Sequence, residues 1–381
     1  MKKSLFMVLS VVMSLFLASS AYASVQQGRA TLFSDELTYG DFLKAHSEFE
    51  KELGDPEANL FYSVIKPATF ILDPDDDLGD IFYAFGLRGP KLERYLHEGP
   101  AYDVIEEPDP NDYPSISELQ TYLYRPYLDL HDDILDKLSI ISSGFSTVLK
   151  KEETGAEVDI TVDYGEVLLY KALVNASKVT AYVQSSYNLD IDIVSIFLEL
   201  EKKGEELPRG YINKQIDDYP EFLKLVNDAQ DRLQSAKGAL LAAIDHYTEA
   251  SNIIRNRASE AYLITLDQKS KEEEEFFRDN LEELKDSILV DSRAAKLGDP
   301  DDLIYLNPSP FFGDKEGPFD LRDFLPHFDQ CNNPICGTMG HGLDNDPTLG
   351  GIFPYMTHAD WYLDTPVCLI GMPWIYLLLD N

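Results

Sequence analysis

Cysteine is scarce: the chain carries three thiols in 381 residues, Cys331, Cys336 and Cys368, all near its end. A fold of this size cannot lean on so few for its stability, so it needs an apolar core. Cationic side chains are also in short supply, 32 Lys and Arg against 68 Asp and Glu, for a formal charge of −36. That balance argues against nucleic acid and against anionic membrane surfaces as partners. Beyond residue 17 no apolar run approaches the ~20 residues that a transmembrane helix requires. Gly-x-Ser-x-Gly, His-Glu-x-x-His and glycine-rich phosphate-loop patterns are absent. Catalysis, if any, would have to use residues without a recognised motif around them.

What is present begins with a leader. Lys2 and Lys3 precede an apolar stretch over residues 5–17, and Ala21-Tyr22-Ala23 offers the small residues of a cleavage site. This is the pattern of a secretory signal peptide over residues 1–23. The mature chain is expected to start near Ser24, to carry −38 once the two lysines leave, and to be exported to the periplasm or beyond. At 44% hydrophobic residues it can build a core and is not a disordered acidic tail.

The organising element is read over residues 222–254. Phe222, Val226, Ala229, Leu233, Ala236, Leu240, Ala243, Tyr247, Ala250 and Ile254 recur alternately four and three apart. A period of 3.5 over more than four heptads predicts a long helix with a narrow apolar seam. Its alanine row (Ala229, Ala236, Ala243, Ala250) predicts close approach of a neighbouring helix, and Pro220 is placed in its first turn. A second long helix is predicted over 115–149, opened by a Ser115/Glu118 capping box and kinked by Pro126. Helices are also predicted over 81–96, over 163–187 with Leu168, Ala172, Ala176, Val179 and Val183 on one face, and over 269–289. In the last, Phe276, Phe277, Leu281, Leu284 and Ile288 form the buried face and residues 272–275 a solvated acidic one. A short extended piece is expected at 158–162, and residues 188–193 as a turn entering a helix over 194–200.

The expected fold is therefore mainly α. Long antiparallel helices form a bundle over residues 24–297, and an irregular Pro/Gly-rich segment, 298–381, packs on it.

Candidate sites concentrate in that last segment. Cys331 and Cys336 are zinc-ligand types, joined by His341, but their spacing fits no standard zinc ribbon. In an exported protein a Cys331–Cys336 disulfide is the better reading. Cys368, in an apolar run, is left as a buried thiol. Asp344 and Asp346 alternate as in the first half of a calcium loop, but Leu349 and Tyr355 stand where glycine and glutamate are needed. Asp73, Asp75 and Asp77 begin and fail the same pattern. His341 and His358 flank Asp344, Asp346 and Asp360, so His341, Asp344, Asp346 and His358 are the candidate metal ligands, with calcium as the candidate ion. His131, among Asp129, Asp132 and Asp133, reads as a salt-bridged surface histidine.

Two resemblances add to this. Phe42, Ala45, Phe49 and Leu53, followed by Asp55-Pro56, resemble the second half of a tetratricopeptide repeat, without a second copy at that period. Ala30 to Phe33, Phe61-Tyr62, Asp163-Tyr164-Gly165, Tyr187 to Asp190, Leu321-Arg322-Asp323 and Asp346-Pro347 with Gly350-Gly351-Ile352 resemble an uncharacterised family of exported helical bacterial proteins. The resemblance carries no activity or site residue to these positions. It implies that the C-terminal segment belongs with the helices. The functional expectation is a non-catalytic binding or scaffold protein of the cell envelope, with protein or saccharide as partner. The alternative is a metal-assisted hydrolase-like enzyme sited in the C-terminal segment.

Overall fold

A computed structural model describes residues 23–34, 37–72, 87–88, 103–104, 115–192, 217–257, 261–290, 293–299, 302–313, 320–324, 326–327, 338–340, 346 and 348–357. The fold is mainly helical, with small two-stranded sheets only among the described residues. Residues 1–22 of the leader, Asp73, Asp75 and Asp77, and the helix expected over 194–200 lie outside the described residues.

Helices α1 (Ala23–Leu32), α2 (Tyr39–Glu50) and α3 (Pro56–Leu72) come first. Thr38 caps α2 through a reciprocal box, accepting from the Asp41 N–H at 3.2 Å. Asp55 caps α3, taking the Glu57 N–H at 2.7 Å, with Pro56 in the first-turn position where its missing N–H costs nothing. The hairpin is sealed by apolar contacts: Phe42, Ala45, Phe49 and Phe61 are buried, and Phe49 and Phe61 stack at 5.2 Å. Gly28 lets α1 in this close, since a Cβ there would lie 2.7 Å from the Phe49 ring.

Next come β1 (Leu87–Arg88) paired with β2 (Asp103–Val104), so part of the helix expected over 81–96 is strand. The long kinked helix expected over 115–149 is three elements instead. Helix α4 (Ile116–Tyr124) carries the Ser115/Glu118 box, with the Glu118 N–H 3.2 Å from Ser115 Oγ. The helix breaks at Arg125 and restarts as α5 (Pro126–Ser139), because proline cannot donate to the preceding turn. Helical structure ends at Ser139, with Ile140 as its cap, and the chain turns at Ser143-Gly144. The β-branched Thr147 and Val148 then join β3 (Ser146–Leu149), antiparallel to β4 (Ile160–Asp163). Between the strands lies one turn of helix, α6 (Lys151–Thr154).

Helix α7 (Tyr164–Ser186) follows β4 directly. Its buried face holds Leu168 and Ala172 as expected, but Ala176 is exposed, and Lys171 and Asn175 are buried instead. The organising helix, α8 (Ala229–Arg255), starts seven residues later than the apolar period suggests. Pro220 lies in the turn before it, where Leu223 takes a left-handed φ of 63°. The alanine seam itself is buried throughout: Ala229, Ala236, Ala243 and Ala250 are between 0 and 8% exposed. In α9 (Gln268–Leu289) Ile288 is buried, whereas Phe276 and Phe277 are 47% and 41% exposed. The predicted apolar face therefore holds only toward the helix end. Strands β5 (Ala295–Asp299) and β6 (Asp302–Leu306) form a hairpin, followed by a 3-10 turn (Leu321–Phe324) and by β7 (Pro326–His327) paired with β8 (Thr338–Gly340).

The chain divides into two compact units. One comprises Met1–Pro114, Tyr122–Lys178 and Ala239–Glu275; the other comprises Ser115–Thr121, Val179–Gly238 and Phe276–Asn381.

Candidate functional site

Cys331, Cys336, His341, Asp344, His358, Asp360 and Cys368 lie outside the described residues. Of the candidate metal ligands only Asp346 is described. Its carboxylate accepts the Thr348 N–H at 2.9 Å and the Gly350 N–H at 2.8 Å, and also the Thr348 hydroxyl. Burial opposes ionisation here, but these bonds outweigh it and hold the carboxyl below its ordinary range. Asp346 thus closes an Asx-type turn. Leu349 occupies a left-handed φ of 51° inside it, where a calcium loop would have glycine. Among the described residues no three of His, Cys, Asp and Glu gather as a metal site.

The polar chemistry that the structure does assemble lies in the unit containing α1–α3, where sequence patterns gave little notice of it. Arg29, 6% exposed on α1, is held by carboxylates from two distant segments. Its Nε donates to Glu153 Oε1 at 3.0 Å, Nη1 pairs with Glu57, and Nη2 pairs with Glu153 and donates to the Val148 carbonyl at 2.9 Å. Thr147 donates to Glu57 at 2.7 Å, and the Lys150 N–H donates to Glu153 at 2.7 Å. The guanidinium also lies 5.3 Å from the centre of the Phe61 ring.

Arg257 repeats the design at the start of α7. It bonds Asp163 at 2.6 Å, both oxygens of Glu166 at 2.7 Å and the Ile264 carbonyl at 2.5 Å, and lies 4.4 Å from the Tyr262 ring centre. Glu166 also receives the Asp163 N–H at 2.9 Å and the Ile264 N–H at 3.1 Å. Burial pushes the Glu166 carboxyl up despite these partners, while the bonds to Glu166 and Asp163 raise Arg257 against the cost of its own burial. A Cβ on Gly165 would lie 2.8 Å from Arg257 Nη2, so glycine is what admits the guanidinium.

A third cluster has the residue types of acid–base chemistry. The His46 ring lies over Tyr62 at 4.6 Å between centroids. Tyr62 donates to Asp133 at 2.8 Å, and Lys137 reaches the other oxygen of Asp133 at 2.7 Å. Lys66 and Lys137 lie 5.6 and 5.8 Å from the Tyr62 ring centre. Burial, reinforced by Lys66, lowers His46 to about 4, so its imidazole is neutral at pH 7. Burial and then the bond to Asp133 push the Tyr62 phenol up. For Asp133, burial works against ionisation, but the bonds from Lys137 and Tyr62 prevail and lower it. His46 Nε2 is sealed from solvent with no hydrogen-bond partner among the described residues. The arrangement can hold a neutral base beside a phenol that stays protonated.

His131 is corrected from surface to interior: it is 8% exposed, its Nδ1 lies 2.6 Å from the Tyr127 carbonyl oxygen, and Lys178 rather than His131 pairs with Asp132. In the acidic run 272–275, Glu274 is not solvated, because it takes Arg255 at 2.6 Å with its side chain 10% exposed.

No protein-family model matches the chain, and no curated protein or solved structure matches it either.

Proposed function

We propose that the protein is an exported, non-catalytic binding or scaffold protein of the cell envelope, with a peptide or saccharide as its partner. The observation that carries the reading is the use made of buried charge. Arg29 reaches Glu153 and the Val148 carbonyl 124 and 119 residues away, and Arg257 reaches Glu166 and Asp163 91 and 94 residues away, with acceptors around nearly all of each guanidinium. Such clusters hold a frame, fixing one segment of chain against another. The N-terminal leader pattern supports export. The α2–α3 hairpin, with its tetratricopeptide-like Ala45, Phe49 and Asp55-Pro56, supplies a helix pair of the kind that binding scaffolds use.

Expression from Met1 in a bacterial host, followed by fractionation and N-terminal sequencing, tests the reading. The exported fraction should contain a chain beginning near Ser24. Recovery of the full-length chain from the cytosol would overturn the envelope assignment. Elemental analysis of the same preparation tests the non-catalytic part. Stoichiometric zinc would favour the metal-assisted hydrolase with His341, Asp344, Asp346 and His358 as ligands, whereas calcium alone would place a structural ion at the Asp344/Asp346 turn.

A further inference from the structure

Lys171 sits on the inner face of α7, one turn from Leu168, which packs with Ala250 and Ile254 of α8. The residue is 7% exposed, and its ammonium lies 5.6 Å from the centre of the Tyr164 ring. Two partly buried lysines of this unit find carboxylates, Lys137 reaching Asp133 at 2.7 Å and Lys178 pairing with Asp132, whereas Lys66 lies over the Tyr62 ring at 5.6 Å. Lys171 has no side-chain hydrogen bond and no ion pair among the described residues; Glu249 acts on it only through the field of its charge, and Lys171 in turn helps to lower His246. Asn175, one turn on, donates to the Lys171 carbonyl at 2.9 Å and faces His246 Nδ1 at 3.5 Å.

An ammonium placed so is short of stabilisation: it gives up hydration and gains only a ring face and the field of a carboxylate with which it makes no ion pair. Desolvated lysines are the ones that serve as amine nucleophiles, because the neutral form carries the lone pair. We propose that Lys171 is a reactive amine, a site that takes up an aldehyde as an imine. Its lone pair attacks the carbonyl carbon, and the C=O π pair moves to oxygen. One amine proton passes to that oxygen, giving a carbinolamine. The second N–H proton leaves with the hydroxyl as water as the C=N bond forms. One aldehyde is consumed and one water released, with no change of oxidation state. Burial lowers Lys171 from its ordinary value while Glu249 opposes the shift. The titratable groups around it are Tyr164, His246 and Glu249.

The full chain, treated at pH 7 with limiting acetaldehyde and cyanoborohydride, should carry the ethyl group on Lys171 several-fold ahead of Lys269, whose side chain is 83% exposed. The pH profile of labelling at Lys171 should lie below that at Lys269. In urea the two rates should converge, and Lys171→Arg should remove that site alone while leaving the unfolding curve in place. Labelling of Lys171 at or below the rate of Lys269 in the folded protein, or a preference that survives in urea, would overturn the proposal. In the first case Lys171 merely fills the helix seam; in the second the reactivity belongs to the local sequence.

Discussion

The two arginine clusters each set one cation between two carboxylates, and that arithmetic decides what each side chain contributes. Replacing a buried ion group whole is often tolerated, but removing one member leaves unpaired charge in a low dielectric. Arg29→Met should therefore destabilise by about 3–5 kcal/mol, since Glu57 and Glu153 remain facing each other. Adding Glu57→Gln and Glu153→Gln should recover much of the loss. Urea denaturation of the single and triple variants measures both, and equal losses would contradict the account. His46 makes a second prediction at this scale. Its folded value of about 4 lies below the 6.5 of a free histidine, so the unfolded chain binds a proton that the folded one refuses. The contribution is whole above pH 6.5 and is lost as the pH falls toward 4. Allowing for solvent screening of a ring that is not fully buried, it is on the order of 1–2 kcal/mol. Between pH 7 and 4.5, His46→Phe, which keeps a ring on Tyr62, should lose less stability than the parent. Parallel losses would mean that another group, such as Asp133, governs acid unfolding.

Among the elements, α8 was legible because its alanines recur every seventh residue, and a period that strict has few explanations besides a helix with one buried seam. Ala243→Leu should cost about 1–3 kcal/mol by overpacking that seam. Asp231, which the sequence reading puts in mid-helix, is in the first turn of the observed helix, where a carboxylate complements the dipole. Asp231→Ala is accordingly expected to cost about 0.3–1 kcal/mol rather than nothing. Thermal unfolding resolves the two, and a neutral Ala243→Leu would refute the tight seam. The start of the helix was not legible. Phe222 and Val226 continue the period, but Leu223 donates to the Asn188 carbonyl at 2.6 Å and Val226 to the Ser186 carbonyl at 3.0 Å. Those partners lie more than thirty residues away, and no local pattern announces them. Separation likewise hid the ion clusters, whose arginines lie 28 to 124 residues from their carboxylates in sequence. Lys171 did leave a trace, as a charge interrupting the apolar face between Leu168 and Ala172. The exposed Phe276 and Phe277 warn of the converse, that an apolar period on a helix does not by itself state how far burial extends.

At the scale of the molecule, the C-terminal segment completes the backbone of the unit that contains the start of α8. Asp320 accepts the Leu225 N–H at 2.7 Å, and Arg322 donates to the carbonyls of Tyr219 and Phe222 at 2.9 and 3.2 Å. Gln234 donates to the Phe312 carbonyl at 2.8 Å, and the Phe312 ring is buried. These contacts satisfy the turn that holds Leu223 at positive φ, a conformation that persists in a non-glycine residue only when its surroundings enforce it. A chain ending at Leu297 would stop in the middle of β5, lose all of β6, and strip the turn of Asp320 and Arg322. It should bind hydrophobic dyes, aggregate at micromolar concentration and unfold with a broadened, lower transition. The complementary fragment 298–381 would hold β6 without its partner strand, and an isolated strand has no ladder to sustain it; it should show no cooperative unfolding. A shortened protein that stays monomeric, with the parent's unfolding curve, would mean that the turn before α8 holds itself, and that Asp320, Arg322 and Phe312 decorate a structure that is complete without them.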